Sequence, residues 1–171
     1  MANYGNRHSD NRRKGVPLSD LDPAITETSR KVIGCAIEVH RTLGPGYSRD
    51  VYANAVKMEL QGEGINFKEQ HAFDVTYKDK VVGETVADLF IEGRFAIEVL
   101  AFNGEVGSAE RSHLRSVLRA GGLQLGLIIN FGERRLKDGL VRVLNPDKIE
   151  SLQNRDDDHD HDHDGDEDDG A

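Results

Sequence analysis

Residues 123–131 read Leu-Gln-Leu-Gly-Leu-Ile-Ile-Asn-Phe, which is mostly apolar on both parities. Side chains alternate across a strand, so a strand with two apolar faces must be covered on both sides. Such a run reads as the buried central strand of a sheet with layers packed on it.

The rest of the chain supplies those layers. Asp22 caps and Pro23 opens a first helix that Gly44-Pro45 stops. Its apolar stripe is Ile25, Val32, Ala36, Val39 and Leu43, widened by Ile33. A second helix starts near Ser48, carries Asp50 at its positive end and stops at Gly62-Glu63-Gly64. Strand-like runs follow at 65–77 (broken near Gln70), 81–91 and 95–101, joined by Lys78-Asp79-Lys80 and Glu92-Gly93-Arg94. A third helix covers about 108–120, and an edge strand at 140–144 follows the buried one. This order predicts an α/β fold with a central mixed sheet flanked by helices.

Residues 21–148 hold this pattern as one domain. Residues 1–20, with Arg7, Arg12, Arg13 and Lys14 among Asn, Ser and Gly, are expected to form a flexible basic arm, and 149–171 a disordered acidic tail rich in His and Asp. The net charge of −9 belongs to that tail: nine Asp and one Glu lie in 156–169. Without those ten acids, 21 acidic residues face 22 basic ones, so charge alone argues neither for nor against nucleic acid. The single cysteine, Cys35, excludes an intramolecular disulfide and suits a reducing compartment. No signal-like segment opens the chain and no apolar run is long enough to span a bilayer; a cytoplasmic protein without membrane contact is expected. Asp and His alternate over 158–164. This pattern suits a solubilising tail, loose binding of Zn²⁺, Ni²⁺ or Cu²⁺, or occupation of the protein's own basic face.

The chemistry concentrates in 86–100. A three-residue loop centred on Gly93 sets Asp88 directly opposite Glu98, with Cβ atoms roughly 4.5–5.5 Å apart. Two like charges face to face call for a cation between them. Asp88, Glu98 and the Val99 carbonyl would hold Mg²⁺ or Mn²⁺, because hard cations take oxygen ligands. The competing cation is Arg49, projecting from the second helix. Leu100 shares a face with Glu98, so no ammonium stands beside the acids there. Lys68 substitutes for it only if the Lys78–Lys80 connection is a three-residue loop; a two-residue turn flips its parity.

The run Ala36-Ile37-Glu38-Val39-His40-Arg41, then Leu43-Gly44-Pro45-Gly46 with Val51-Tyr52, Ala87-Asp88-Leu89, Ile97-Glu98-Val99, Leu125-Gly126-Leu127-Ile128-Ile129-Asn130-Phe131-Gly132 and Arg135-Leu136-Lys137-Asp138-Gly139 resembles the GxxExxY family of the PD-(D/E)XK nuclease superfamily. The resemblance implies a restriction-endonuclease-like core and a metal-dependent nuclease site. It also exposes departures. Arg49 stands where the motif has glutamate, Leu100 where the family's Glu-x-Lys has lysine, and His113 and Val117 where the following helix usually carries Gln and Tyr.

Four changes at chemical positions point to a degenerate member that binds or self-assembles without cleaving and requires no cofactor, Mg²⁺ or Mn²⁺ binding weakly. The alternative is an active Mg²⁺-dependent nuclease with a displaced lysine, Lys68, or with His113 moving the proton. A homo-oligomer and nucleic acid are the expected partners. Arg111, Arg115 and Arg119 form one basic stripe that suits either a nucleic-acid backbone or a solvated face paired with neighbouring acids. His40 reads as a hydrogen-bonded core histidine, and His113 as packing or a weak phosphate contact.

Overall fold

A computed structural model describes residues 21–148. The elements are α1 (Pro23–Leu43), α2 (Arg49–Gly62), β1 (Phe67–Tyr77), β2 (Lys80–Ile91), β3 (Phe95–Leu100), α3 (Ser108–Gly121), β4 (Leu125–Asn130), the one-turn α4 (Leu136–Gly139) and β5 (Leu140–Leu144). The arm and tail expected at the two ends lie outside the described residues. No helix among the described residues is long and apolar enough to cross a membrane.

Helix boundaries follow local chemistry. Asp22 accepts a hydrogen bond from the Ala24 amide at 2.9 Å, and Pro23 occupies the first turn, where a missing N–H costs nothing. Gly44 ends α1 at φ 68°, a conformation glycine adopts without penalty.

The five strands lie in the order β1-β2-β3-β4-β5. All neighbours are antiparallel except β3 and β4, which run parallel across the α3 crossover, so the sheet is mixed. Alternation along β3 and β4 splits the core in two. Phe95, Ile97, Val99, Leu125, Leu127 and Ile129 pack under α1 and α2, whereas Ala96, Leu100 and Ile128 meet Leu114, Val117 and Leu118 of α3. β4 is buried along its whole length, as its two apolar faces require. Gly126 lets α3 come down onto β4: a Cβ there would lie 2.7 Å from Leu114 Cδ2.

The β1–β2 hairpin resolves the parity question in an unexpected way. Its loop is the two-residue turn Lys78-Asp79, both residues at positive φ, which alone would flip the register. A bulge between Val75 and Thr76 inserts one residue and restores it. The break expected near Gln70 does not occur: β1 runs unbroken through it in one register, with only a local positive φ at Gln70.

Candidate functional site

The site forms where β2 and β3 part. Their ladder runs Ile91–Phe95, Phe90–Ala96, Leu89–Ile97, and the next step in that register sets Asp88 opposite Glu98. Asp88 Oδ2 accepts from the Val99 amide at 2.9 Å. Oδ1 accepts from Gln70 Nε2 at 3.2 Å and is ion-paired with Arg49. Arg49 begins α2, a position where the helix dipole disfavours a cation, and Asp88 together with Asp50 (3.2 Å) offsets that cost.

Tyr52 holds this helix end in place. It is fully buried, stacks on Phe131 with centroids 4.7 Å apart, donates to the Gly44 carbonyl and accepts from the Tyr47 amide at 3.1 Å. The tyrosine of the 46–52 segment therefore fixes the loop from which Arg49 projects. At the end of β4, buried Asn130 ties the backbone of Phe102, Gly104 and Gly132 together. It secures the chain just past β3.

Glu98 points to the other side, into a cavity of about 270 Å³ lined by Leu100, Ala109, Glu110 and His113. The residue is 8% exposed, and its Oε1 is buried without a hydrogen-bond partner. His113 Nε2 lies 3.6 Å from that oxygen. α3 thus faces the acid pair, and of the two roles expected of His113, packing or a weak phosphate contact, its half-exposed side chain does not fit packing; Val117, one turn further, is the buried one.

The two carboxyls are driven apart in character. Burial pushes Glu98 up, the Asp88 charge adds to it, and the group titrates at about 8. Burial also works against the Asp88 charge, but the hydrogen bonds from Arg49, the Val99 amide and Glu98 outweigh it and hold Asp88 below its ordinary value. Near neutral pH the pair is therefore one carboxylate and one carboxylic acid. The bond to Asp88 in turn raises Arg49 above its own ordinary range.

A divalent cation fits this donor set poorly. The unpartnered Glu98 oxygen favours one, but a guanidinium already stands against Asp88, and the other Asp88 oxygen is turned to the Val99 amide. Among the described residues no three His, Cys, Asp or Glu side chains converge on one point.

Lys68 lies exposed opposite Phe90, on the face that packs towards α3, and makes no ion pair among the described residues. The lysine that does reach the acids' surroundings is Lys57. It lines a cavity of about 200 Å³ with Arg49, Glu69, Gln70 and Asp88, is 21% exposed and pairs with Glu69 at 3.1 Å. Its signal was present in the sequence: Arg49, Ala53 and Lys57 recur every four residues and line one face of α2. His40 donates Nε2–H to the Glu133 carbonyl at 2.8 Å and packs near Phe131, as a satisfied core histidine does. Arg111, Arg115 and Arg119 are all exposed on α3, but they divide between two grooves. Arg115 and Arg119 face β1, whereas Arg111 faces Glu133 and Asp138.

A mixed sheet in this order, with an acid pair where β2 and β3 part, defines a nuclease-like α/β domain. The family model of the PD-(D/E)XK nuclease superfamily matches residues 26–143, more than two thirds of the chain, and the protein belongs to that superfamily. No curated protein and no solved structure matches the chain.

Proposed function

We propose that this protein is a nucleic-acid-binding member of the superfamily, of the GxxExxY kind, in which Arg49 replaces the metal ion and phosphodiester hydrolysis is lost. The Arg49–Asp88 ion pair is the observation that carries the reading. It supplies the positive charge the acids need from the protein itself. Leu100 then leaves the Glu98 side of the site apolar where a reacting phosphate would need a cation. What remains useful is the surface, with Arg111, Arg115 and Arg119 contacting the phosphate backbone.

The test is a nuclease assay on single- and double-stranded DNA and RNA with Mg²⁺ or Mn²⁺. It compares wild type, Asp88→Ala, Leu100→Lys and the double variant Arg49→Glu, Leu100→Lys. Cleavage is expected only in the double variant. Wild-type cleavage that disappears in Asp88→Ala would overturn the reading.

One observation favours a second reading, an active Mg²⁺-dependent nuclease. Half-buried Lys57 lines the same cavity as Asp88, whose neighbour Glu98 keeps a buried oxygen without a partner. In that reading Lys57 takes the part expected of Lys68, and Lys57→Met abolishes wild-type cleavage while Lys68→Met does not.

A further inference from the structure

Away from the acid pair, a groove of about 460 Å³ runs between α3 and β1. Ser112, Arg115, Ser116, Arg119 and Ala120 form one wall, and Asp74, Val75 and Thr76 the other. Arg115 makes no ion pair among the described residues. Arg119 meets Asp147 at 3.5 Å, with both side chains more than half exposed. Asp147 belongs to the last described segment of the chain. Asn145 fastens that segment to α3 by donating to the Leu118 carbonyl at 3.3 Å. The chain therefore leaves the described domain at the C-terminal end of α3, beside the groove, and its first acid is already on the stripe.

We infer that the acidic segment 156–169 of the same chain occupies this groove, its carboxylates pairing with Arg115 and Arg119. Ten acids follow within a short reach of Lys148. The link from Lys148 to Asp156 spans up to about 28 Å when extended, and Arg111 lies only about 12 Å along the helix from Arg119. Among the described residues Asp74 is the one acid lining the groove, so the walls carry two cations against one anion. Ser112 and Thr76 add hydroxyl donors to receive carboxylates. Single exposed pairs are weak, but tethering raises the effective concentration to the millimolar range, and many acids share few cations.

The occupation does not depend on the nucleic-acid reading above. Its consequence does: a tail in the groove competes with phosphates for Arg115 and Arg119.

The experiment uses the full chain and a full-length variant in which the nine Asp and one Glu of 156–169 become Asn and Gln. Backbone amide shifts of α3 and 74–76 are compared at about 0.05 M and about 0.5 M salt. Groove amides are expected to differ between the two chains at low salt and to converge at high salt. Dilution should leave the difference unchanged, and Arg115→Ser with Arg119→Ser should abolish it while Lys78→Ser does not. Identical low-salt shifts would overturn the inference. So would a difference that vanishes on dilution, which would mark another molecule's tail. Duplex affinity measured on the same chains is expected to rise about tenfold when the tail is neutralised. Shift differences without any nucleic-acid binding would leave the tail in its groove and remove the proposed function instead. Binding without shift differences would do the reverse.

Discussion

Nε2 of His113 lies 3.6 Å from Oε1 of Glu98, so the helix that covers the second core also closes over the acid pair. On the opposite side of the sheet the N-terminus of α2 brings Arg49 to Asp88. Each acid thus answers to a different layer, and this division explains why one is held ionised and the other protonated. Distinct consequences follow for pH, metal binding, backbone packing and salt.

Glu98 makes stability fall with rising pH. The unfolded group ionises near 4.5 and the folded one near 8, so the native state holds the extra proton between those values. That contribution is complete below about pH 4.5 and lost as pH rises through about 8. Asp88 works the other way, losing its contribution on acidification below 3.8. Glu98→Gln keeps the shape and cannot ionise. Urea unfolding at about pH 5 and about pH 9 should show wild type losing roughly 2–4 kcal/mol relative to the variant across that interval. A pH-independent difference would contradict the assignment.

Paired with Asp88, Arg49 is expected to keep divalent cations out. Isothermal titration with Mn²⁺ is expected to give at least about tenfold tighter binding for Arg49→Glu than for wild type. The variant supplies a third carboxylate and removes the competing charge. Equal affinities would show that Arg49 does not occupy the cation's place.

Tyr52→Phe removes the hydroxyl that bridges the Gly44 carbonyl and the Tyr47 amide, leaving both short of a partner beside a buried ring. A destabilisation of about 1–3 kcal/mol is expected in chemical denaturation. Faster amide exchange over 44–49 should accompany it, since this loop carries Arg49.

Gly132→Ala is expected to cost about 3 kcal/mol or more, because the added Cβ collides with the backbone of Phe102, which cannot swing aside as a side chain would. Gly34→Ala meets nothing within 4 Å and serves as the control; within α1 it should stabilise, by about 0.5–1 kcal/mol. A melting temperature for Gly132→Ala matching wild type would refute the close approach.

Phosphate binding by the stripe would appear as salt dependence. Replacing Arg111, Arg115 and Arg119 together by serine should lower the slope of log K against log salt by up to about 2.7, roughly 0.9 for each phosphate no longer neutralised. An unchanged slope would place the backbone-binding residues elsewhere.

Much of this was legible in the sequence because it depends on neighbours in the chain. The caps of α1, the breakers around α2, the two-faced β4 and the three-residue loop at Gly93 are local, and the last of these already sets Asp88 against Glu98. Arg49 and Leu100, which the resemblance sets against a glutamate and a lysine, are read directly from residue identity. By contrast, the register that places Lys68 was not legible. Parity propagates from a turn, so one inserted residue reverses every assignment beyond it. The bulge at Val75/Thr76 is such an event.

Periodicity, caps and turns are short-range properties, so the elements, their order and the acid pair could be read from the chain alone. What surrounds each acid depends on the packing of the helices. α2 and α3 approach from opposite faces of the sheet, and a side chain's proton affinity depends on which groups and how much water lie within a few ångströms. Asp88 and Glu98 look equivalent along the chain; they differ because one faces a guanidinium and the other a largely apolar pocket.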